Sequence, residues 1–308
     1  MSQPGIAPQP FDVLARDWIA PGARWERGPG DLPFLAVTTE SCRARLTAYG
    51  AHLCEWTPAA PAPPVLFVSP RSAFAPGTAI RGGVPVCFPW FANHPTDPGK
   101  PSHGFARTRP WDVVRVTRDE GAGIVAELRL ASDDRTRALW DAEFDARLTI
   151  ALGSSLAMTF EVVNLGDREI AYEAALHSYF TVGDVERIAI GGLEGAAFID
   201  KVDGMKRKVH GVAPLALTGE TDRVFLDTAA TCVIDDAELG RRIHVAKSGS
   251  MATVVWNPWR TRAETIADVG ADVWRRFVCV ETANCGVHAI RLAPGARHTM
   301  AARVHVTG

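Results

Sequence analysis

The sequence lacks the excess of basic residues that nucleic-acid-binding and membrane-surface proteins carry. Its 33 Lys and Arg residues are balanced by 35 Asp and Glu residues, for a formal net charge of -2, which gives no long-range attraction for an anionic polymer or lipid. No apolar run approaches the roughly 18–20 residues that a membrane-spanning helix needs. The N-terminus also lacks a basic segment followed by an apolar one. We therefore expect a cytoplasmic protein with no nucleic-acid or membrane partner.

Metal and cofactor signatures are equally scarce. The six cysteines include no CxxC pair and the nine histidines no HxH, HxxxH or HExxH set, so the sequence predicts neither a metal site nor disulfides. Residues 121–126, GAGIVA, have glycines in the spacing of a dinucleotide fingerprint, but that motif needs a helix directly after the glycines. An alternating strand pattern follows instead. We interpret the segment as a hairpin turn and expect no organic cofactor.

The pattern that is present is the two-residue alternation of β-strands. Residues 124–130 place apolar side chains at every second position, as a half-buried strand does. Residues 144–150 and 156–162 alternate in the same way around the turn LGSS, which predicts a long hairpin. Residues 1–32 are rich in Pro and Gly and predict an irregular arm. We expect one domain over 1–308, acting as a monomer.

Elsewhere the pattern also favours strands over long helices. Residues 290–292 and 300–306 flank the turn APGA and predict a closing hairpin. Short helical turns are expected near 136–140 and 264–274. Long amphipathic helices and regular strand–helix alternation are absent from the sequence. The predicted fold class is therefore all-β, a large antiparallel β-sandwich.

Two glycine-containing loops carry candidate binding residues. Residues 80–91 read IRGGVPVCFPWF; adjacent glycines let backbone approach a ligand closely, and prolines fix the turns. The alternative is a buried crossover loop with Arg81 merely solvated. Residues 101–107, PSHGFAR, place a histidine near Arg107, whose planar fork of donors matches phosphate or carboxylate oxygens. The two arginines could clamp one phosphate.

Two titratable residues lie in apolar runs. His177 lies in AALHSYF and Glu281 in VCVETA. A lone histidine in such a run is often a satisfied core residue, and a structural ion pair would explain the glutamate. An unpaired carboxylate at the end of an apolar strand is costly to bury, so a substrate hydroxyl or an active-site partner is the other interpretation.

Together these segments resemble the hexose-6-phosphate mutarotase branch of the aldose 1-epimerase family. The resemblance rests on six motifs in family order: IRGGVPVCFPWF at 80–91, PSHGFAR at 101–107, LHSYF at 176–180, FIDK at 198–201, VVWNPW at 254–259 and VCVE at 278–281. It implies a galactose-mutarotase-like supersandwich that binds a sugar phosphate on the concave face of a large sheet. It also implies that no metal or cofactor takes part.

The resemblance further implies roles for single residues. His177 is similar to the family's general acid, Glu281 to its general base and Asp200 to the carboxylate that holds sugar hydroxyls. Phosphate-side and pocket-lining residues are also implied, namely Arg81, Arg107 and His103, with Ser102 where some relatives carry a substrate-contacting glutamine. Lys100 and Arg109 are our own fallback phosphate contacts, in case one of the two arginines points away. We expect His177 and Glu281 to converge on one cleft, separated by about the width of a sugar ring.

These roles predict anomer interconversion by proton transfer. A base removes the proton of the anomeric hydroxyl while an acid protonates the ring oxygen, and the open aldehyde recloses from its other face. Two alternatives stay open at this point. One is an epimerase for unphosphorylated hexoses, which has no need for paired arginines. The other is a non-catalytic sugar-binding protein, against which the presence of both His177 and Glu281 counts.

Overall fold

Antiparallel strands make up most of the structure, a computed structural model that describes residues 19–58, 62–271 and 273–308. The strands are β1 (Ala23–Arg27), β2 (Pro33–Thr38), β3 (Cys42–Thr47), β4 (His52–Pro58), β5 (Val86–Cys87), β6 (Asp112–Asp119), β7 (Gly123–Ala131), β8 (Phe144–Leu152), β9 (Leu156–Asn164), β10 (Ile170–Tyr172), β11 (Ala174–Leu176), β12 (Tyr179–Thr181), β13 (Ile188–Gly191), β14 (Ala197–Asp200), β15 (Lys206–Val209), β16 (Thr221–Phe225), β17 (Cys232–Asp236), β18 (Arg241–Ser248), β19 (Ala252–Asn257), β20 (Phe277–Asn284), β21 (Ile290–Leu292) and β22 (Arg297–Thr307). The helices are α1 (Asp134–Leu139) and α2 (Trp259–Glu264), with short 3-10 turns at Pro29–Asp31, Ala106–Thr108, Val185–Arg187, Trp274–Arg276 and Gly286–His288.

Two eight-stranded sheets form the body of the molecule. One has the order β15-β14-β16-β19-β20-β11-β5, with β12 also paired to β20, and the other has the order β13-β17-β18-β22-β9-β8-β7-β6. A four-stranded sheet, β1-β2-β3-β4, and the pair β10-β21 complete the fold. Apolar side chains of both large sheets, such as Phe160 of β9 and Val280 of β20, belong to one buried cluster. The core therefore lies between the two sheets, as in a β-sandwich.

The long strands follow the predicted alternation. In β9 every second residue from Leu156 onwards is buried, and β8 pairs with β9 from Phe144↔Asn164 to Leu152↔Leu156. The predicted hairpin and the strand at 124–130 are confirmed, as is the all-β class. The glycine-rich segment 121–126 is a hairpin turn between β6 and β7, with Asp119 paired to Gly123.

The expected C-terminal hairpin is wrong. Strands β21 and β22 flank the predicted turn, but β21 pairs with β10 whereas β22 pairs with β9 and β18. Asn164 at the end of β9 explains the difference, because its side-chain amide donates to the carbonyl of Leu292 at 2.9 Å and its main-chain carbonyl accepts from Gly295 at 3.0 Å. These bonds hold the turn over the end of β9, so the flanking strands diverge into different sheets.

Two other expectations need correction. Part of the predicted irregular arm is strand β1, in which the described residues 23–27 pair with 33–37 of β2; residues 1–18 lie outside the described residues. Five residues are too few for alternation to show in the sequence. The helical turn expected near 136–140 exists as α1. Near 264–274 the helical residues lie at the two ends of the expected range, because α2 ends at Glu264 and a 3-10 turn begins at Trp274. In the described part of the chain, no helix has the length and apolar character needed to cross a membrane.

Candidate active site

One face of the large β14–β20 sheet carries the polar residues of a cleft. Val254 of β19 lies opposite Glu281 of β20, and Trp256 of β19 lies opposite Asp222 of β16. Because side chains of residues two apart, and of paired residues, share one face of a sheet, all four project the same way. Val280, one residue from Glu281, packs into the sandwich core instead. The strand alternation therefore delivers a carboxylate to a surface backed by apolar side chains.

The cleft encloses about 640 Å³, within the usual size of small-molecule sites. Its lining residues are Arg81, Phe91, Ser102, His103, Arg107, His177, Lys201, Glu220, Asp222, Val254, Trp256, Arg262, Ile266 and Glu281. Six of the seven predicted site residues are in this set, so the structure gathers segments that are far apart in the sequence into one site.

His177 is held by the glycine loop that precedes β5. Its main-chain N–H donates to the carbonyl of Pro85 at 3.0 Å, and the N–H of Tyr179 donates to that of Gly83 at 2.9 Å. A Cβ on Gly82 would lie 2.3 Å from the carbonyl oxygen of Phe67, and both Gly82 and Gly83 have positive φ. The glycines were expected to admit a ligand. They instead let the loop pass against neighbouring backbone, where a larger residue would clash.

His177 and Glu281 come into direct contact distance. His177 Nε2 lies 3.4 Å from Glu281 Oε1, and the two side chains are 8% and 1% exposed. They do converge on one cleft, but the expected gap of a sugar ring is wrong for this structure, because no atom fits between them. Among the described residues, neither carboxyl oxygen of Glu281 nor Nδ1 of His177 has a hydrogen-bond partner. Buried polar atoms normally have one, so these groups are available to a ligand.

Burial decides the protonation of this pair. It lowers the pKa of His177 well below its usual value, and the charges of Arg107 and Arg81 lower it further. Burial likewise raises the pKa of Glu281 well above its usual value, reinforced by Asp222. A group in an apolar surrounding loses the solvation of its charged form. Both shifts therefore favour a neutral histidine beside a protonated glutamate over a charged pair.

Aromatic rings orient His177. Its ring stacks on that of Tyr179 with 4.9 Å between centroids and 11° between planes. The ring of Trp256 lies nearly perpendicular to it, at 82°, with 6.1 Å between centroids. The Tyr179 hydroxyl accepts a hydrogen bond from Arg81 Nη1 at 3.0 Å, and Arg81 Nε donates to Asp268 Oδ2 at 3.1 Å. A chain of contacts thus runs from Asp268 to the histidine. Two of the donor groups of Arg81 are already used within the protein.

Arg107 is held differently. Its Nη2 donates to the main-chain carbonyl of Ser102 at 2.7 Å, while its Nε is buried without a partner in the described part of the chain. His103 accepts a hydrogen bond from the N–H of Ala92 through Nδ1 at 3.3 Å, which leaves Nε2 as its donor in the neutral form. Burial and the charge of Arg107 lower the pKa of His103 well below its usual value, so that neutral form is favoured. Its ring lies 5.5 Å from that of His177.

Asp200 is the predicted residue that the structure does not bring to the cleft. Its Oδ2 accepts from Lys208 Nζ at 2.8 Å, and its Oδ1 accepts from the N–H of Asp203 at 3.2 Å, so the β14–β15 hairpin uses both oxygens. Its place facing the cleft is taken by Asp222, paired with Lys201 at 2.9 Å. The fallback residues Lys100 and Arg109 do not line the cleft either.

Sequence reasoning missed several lining residues. Lys201 and Trp256 lie inside the quoted motifs FIDK and VVWNPW, so the signal was present although neither residue was singled out. Asp222 and Arg262 lie in segments without a motif, and only the strand pairing and the position of α2 reveal them. In the described residues no group of three or more His, Cys, Asp or Glu side chains could hold a metal ion. All six cysteines are free and buried.

Comparison with known proteins agrees with this geometry. A curated protein of Salmonella typhimurium, provisionally named a glucose-6-phosphate 1-epimerase, is 36% identical over 252 residues, which are 82% of this chain and 83% of that protein. A crystal structure of a provisionally assigned mutarotase from Salmonella typhimurium superposes with a TM-score of 0.86 at 32% identity, covering 96% of this chain and 98% of that one.

A more distant structure supports the fold alone. The galactose mutarotase related enzyme of Lactobacillus acidophilus superposes with a TM-score of 0.73 at 14% identity, over 89% of this chain and 97% of that one. This confirms the predicted galactose-mutarotase-like sandwich. The family model for aldose 1-epimerase matches residues 34–305, which include every residue of the cleft. The chain therefore belongs to the aldose 1-epimerase family, and it is an isomerase that acts on a sugar.

Proposed function

We propose that this enzyme interconverts the α and β anomers of a hexose 6-phosphate, with glucose 6-phosphate as the first substrate to test. The observation that carries the proposal is the buried His177–Glu281 pair, 3.4 Å apart, in the same cleft as Arg81 and Arg107. The pair supplies acid–base chemistry. The arginines supply donors for a phosphate, and the name of the Salmonella typhimurium relative points to the same substrate.

The reaction needs one proton removed and one delivered. In our proposal Glu281 takes the proton of the anomeric hydroxyl while His177 protonates the ring oxygen, which opens the ring to the aldehyde. The aldehyde then turns its other face to the hydroxyl and the two transfers reverse. Because the two side chains already touch, the anomeric centre meets them from the open side of the cleft or separates them as it binds.

The pKa shifts of the pair oppose these roles, because they favour a protonated Glu281 and a neutral His177. In our proposal one proton therefore passes from Glu281 to His177 before the reaction. Arg81 and Arg107 both lower the pKa of His177. A phosphate dianion beside them offsets their charges, which favours the protonated histidine. Substrate binding thereby promotes the protonation state that the chemistry needs.

Other cleft residues hold the sugar in this proposal. Arg107 contacts the phosphate, with Arg81 contributing the donors that Asp268 and Tyr179 leave free. The role of holding sugar hydroxyls, which the resemblance assigned to Asp200, goes to Asp222 because Asp222 faces the cleft. His103 presents its Nε2–H to a substrate oxygen. The proposal gives the side chain of Ser102 no role, but the main-chain carbonyl of Ser102 positions Arg107 by accepting its hydrogen bond.

Polarimetry of freshly dissolved sugars tests the proposal. The purified enzyme should accelerate the mutarotation of α-glucose 6-phosphate and should have a higher kcat/KM for it than for α-glucose, measured in parallel by one-dimensional exchange NMR. His177→Ala should lower turnover of both sugars by roughly 10²–10⁴-fold, the usual contribution of one acid–base group. Equal kcat/KM for the two sugars would instead identify an epimerase of unphosphorylated hexoses. No acceleration of either would identify a binding protein.

A further inference from the structure

Four cationic side chains line the cleft, which is more than the sequence predicted. They are Arg81, Arg107, Lys201 and Arg262. Arg81 is paired with Asp268 at 3.1 Å and Lys201 with Asp222 at 2.9 Å. Clustered like charges repel one another unless an anion neutralises them. A cationic side chain of the cleft that has no carboxylate partner therefore indicates where an anionic ligand binds.

Arg107 and Arg262 have no carboxylate partner within ion-pair distance among the residues that the structure describes. Arg262 donates a hydrogen bond from Nη1 to Thr265 Oγ1 at 3.3 Å. A guanidinium has five N–H donors in a fixed fork, so most of those of Arg262 are unused. Glu220 and Glu281, the other acidic residues that line the cleft, pair with neither arginine. Two guanidinium groups of one cleft thus lack a counter-charge.

The backbone that carries Arg262 is well anchored. Helix α2 begins where the N–H of Trp259 donates to Asn257 Oδ1 at 2.8 Å, and the rings of Trp259 and Trp274 lie 4.7 Å apart. Beyond the helix, the carbonyl of Asp268 accepts from Ser69 Oγ at 2.6 Å. A functional side chain is placed reproducibly when its support is rigid. Arg262 therefore has a fixed base from which its side chain reaches the cleft.

We propose that Arg262 is a specificity-determining residue that contacts the phosphate of the substrate together with Arg107. The inference rests on the proposed function and adds a contact that no sequence motif indicated. Two guanidinium forks without carboxylate partners suit a phosphate dianion, which has three oxygens to accept their hydrogen bonds. Arg81 takes a smaller share, because Asp268 and Tyr179 already hold two of its donor groups.

The test compares Arg262→Ala with Arg260→Ala. Both arginines lie on α2, so the two changes remove the same charge from the same helix, but only Arg262 lines the cleft. We expect Arg262→Ala to lower kcat/KM for glucose 6-phosphate by about tenfold to a hundredfold, mainly through KM, since this is the range of one charge-assisted hydrogen bond. The ratio of glucose 6-phosphate to glucose kcat/KM should fall by the same factor. Arg260→Ala should keep the wild-type ratio.

Inorganic phosphate gives a second readout that does not depend on the sugar. It should inhibit the wild type and Arg260→Ala with similar constants, and Arg262→Ala about tenfold more weakly. Arg262→Gln, which keeps most of the side-chain length, repeats both measurements if the alanine variant folds poorly. An unchanged ratio together with unchanged phosphate inhibition would overturn the inference, and so would an equal loss with both sugars. A wild type without preference for glucose 6-phosphate would instead overturn the proposed function.

Discussion

Replacing Glu281 by glutamine should make the protein more stable and less active. The side chain is 1% exposed, and neither of its carboxyl oxygens has a hydrogen-bond partner among the residues that the structure describes. Its raised pKa means that the folded protein holds a proton that the unfolded chain gives up. Glutamine has nearly the same shape but no proton to lose. Turnover should fall by about 10²–10⁴-fold, because an acid–base group is gone.

The size of the stability gain depends on pH. An unfolded glutamate titrates near pH 4.3, and one pKa unit corresponds to about 1.36 kcal/mol. Below that pH, Glu281 is protonated in both the folded and the unfolded protein, so its protonation does not change the free energy of unfolding. Above it, folding must retain a proton against a falling proton concentration, so the wild type loses stability relative to Glu281→Gln. The loss is at most about 1.4 kcal/mol per pH unit, and it ends at the folded-state pKa of Glu281.

Urea unfolding followed by tryptophan fluorescence can measure this difference. The free energies of unfolding of the wild type and Glu281→Gln should differ least at pH 5 and most at pH 8, with the gap widening by at most about 1.4 kcal/mol for each pH unit. Glu281→Asp keeps a titrating carboxyl group and serves as the matched control that retains the slope. A gap that stays constant or narrows with rising pH would show that Glu281 is ionised in the native protein, and the assigned protonation state would be wrong.

Three further substitutions test the arrangement of the cleft. Arg107→Ala should raise KM for glucose 6-phosphate by about 10–100-fold with a smaller effect on glucose, and an equal loss for both sugars in initial-rate polarimetry would mark the arginine as structural. Tyr179→Phe keeps the ring that stacks on His177 and should keep most of kcat. Tyr179→Leu should lower kcat by a few-fold to tenfold, the range of an aromatic pair. If the two variants had identical kcat values, the ring of Tyr179 would not position His177. Asp222→Asn should lower kcat/KM by about tenfold or more, whereas Asp200→Asn should leave it near the wild-type value. A larger loss for Asp200→Asn than for Asp222→Asn would mean that Asp200 holds the sugar hydroxyls.

Alternation and turn chemistry predicted the parts of the fold that depend on neighbouring residues. The β8–β9 hairpin follows this rule, because nine-residue strands joined by a short turn leave little choice of partner. The strands β21 and β22 break it. Their divergence depends on the amide of Asn164, 128 positions from Leu292 in the sequence. A contact of that sequence separation leaves no local signal, so the pairing could not be predicted from the turn alone.

The difference between local signals and distant contacts also explains which site residues could be predicted. A charged or titratable side chain that interrupts an apolar or glycine-rich run is a local signal, and it identified His177, Glu281, Arg81 and Arg107. Asp222 was missed because TDRVF is an ordinary strand sequence, and it reaches the cleft only through the register that places it opposite Trp256. The choice of Asp200 illustrates the same limit: its motif was recognised, but its neighbour Lys201 is the residue that faces the cleft. The pairing of the strands decides from which face of the sheet a side chain projects, and a shift of one residue in the register moves it to the other face.

The glycine loop that holds His177 has a consequence for the length of the substrate. Arg81 precedes the glycines, and the same short stretch of backbone is bonded to His177 and Tyr179 at Pro85 and Gly83. Under the proposed function, the loop sets the spacing between Arg81, one of the phosphate contacts, and the histidine that protonates the ring oxygen. We therefore expect a pentose 5-phosphate, which is one carbon shorter, to react more slowly than a hexose 6-phosphate, because a misplacement of about 1 Å can cost a hundredfold in rate. Chain-length discrimination would then be a property of the backbone rather than of any side chain that touches the sugar.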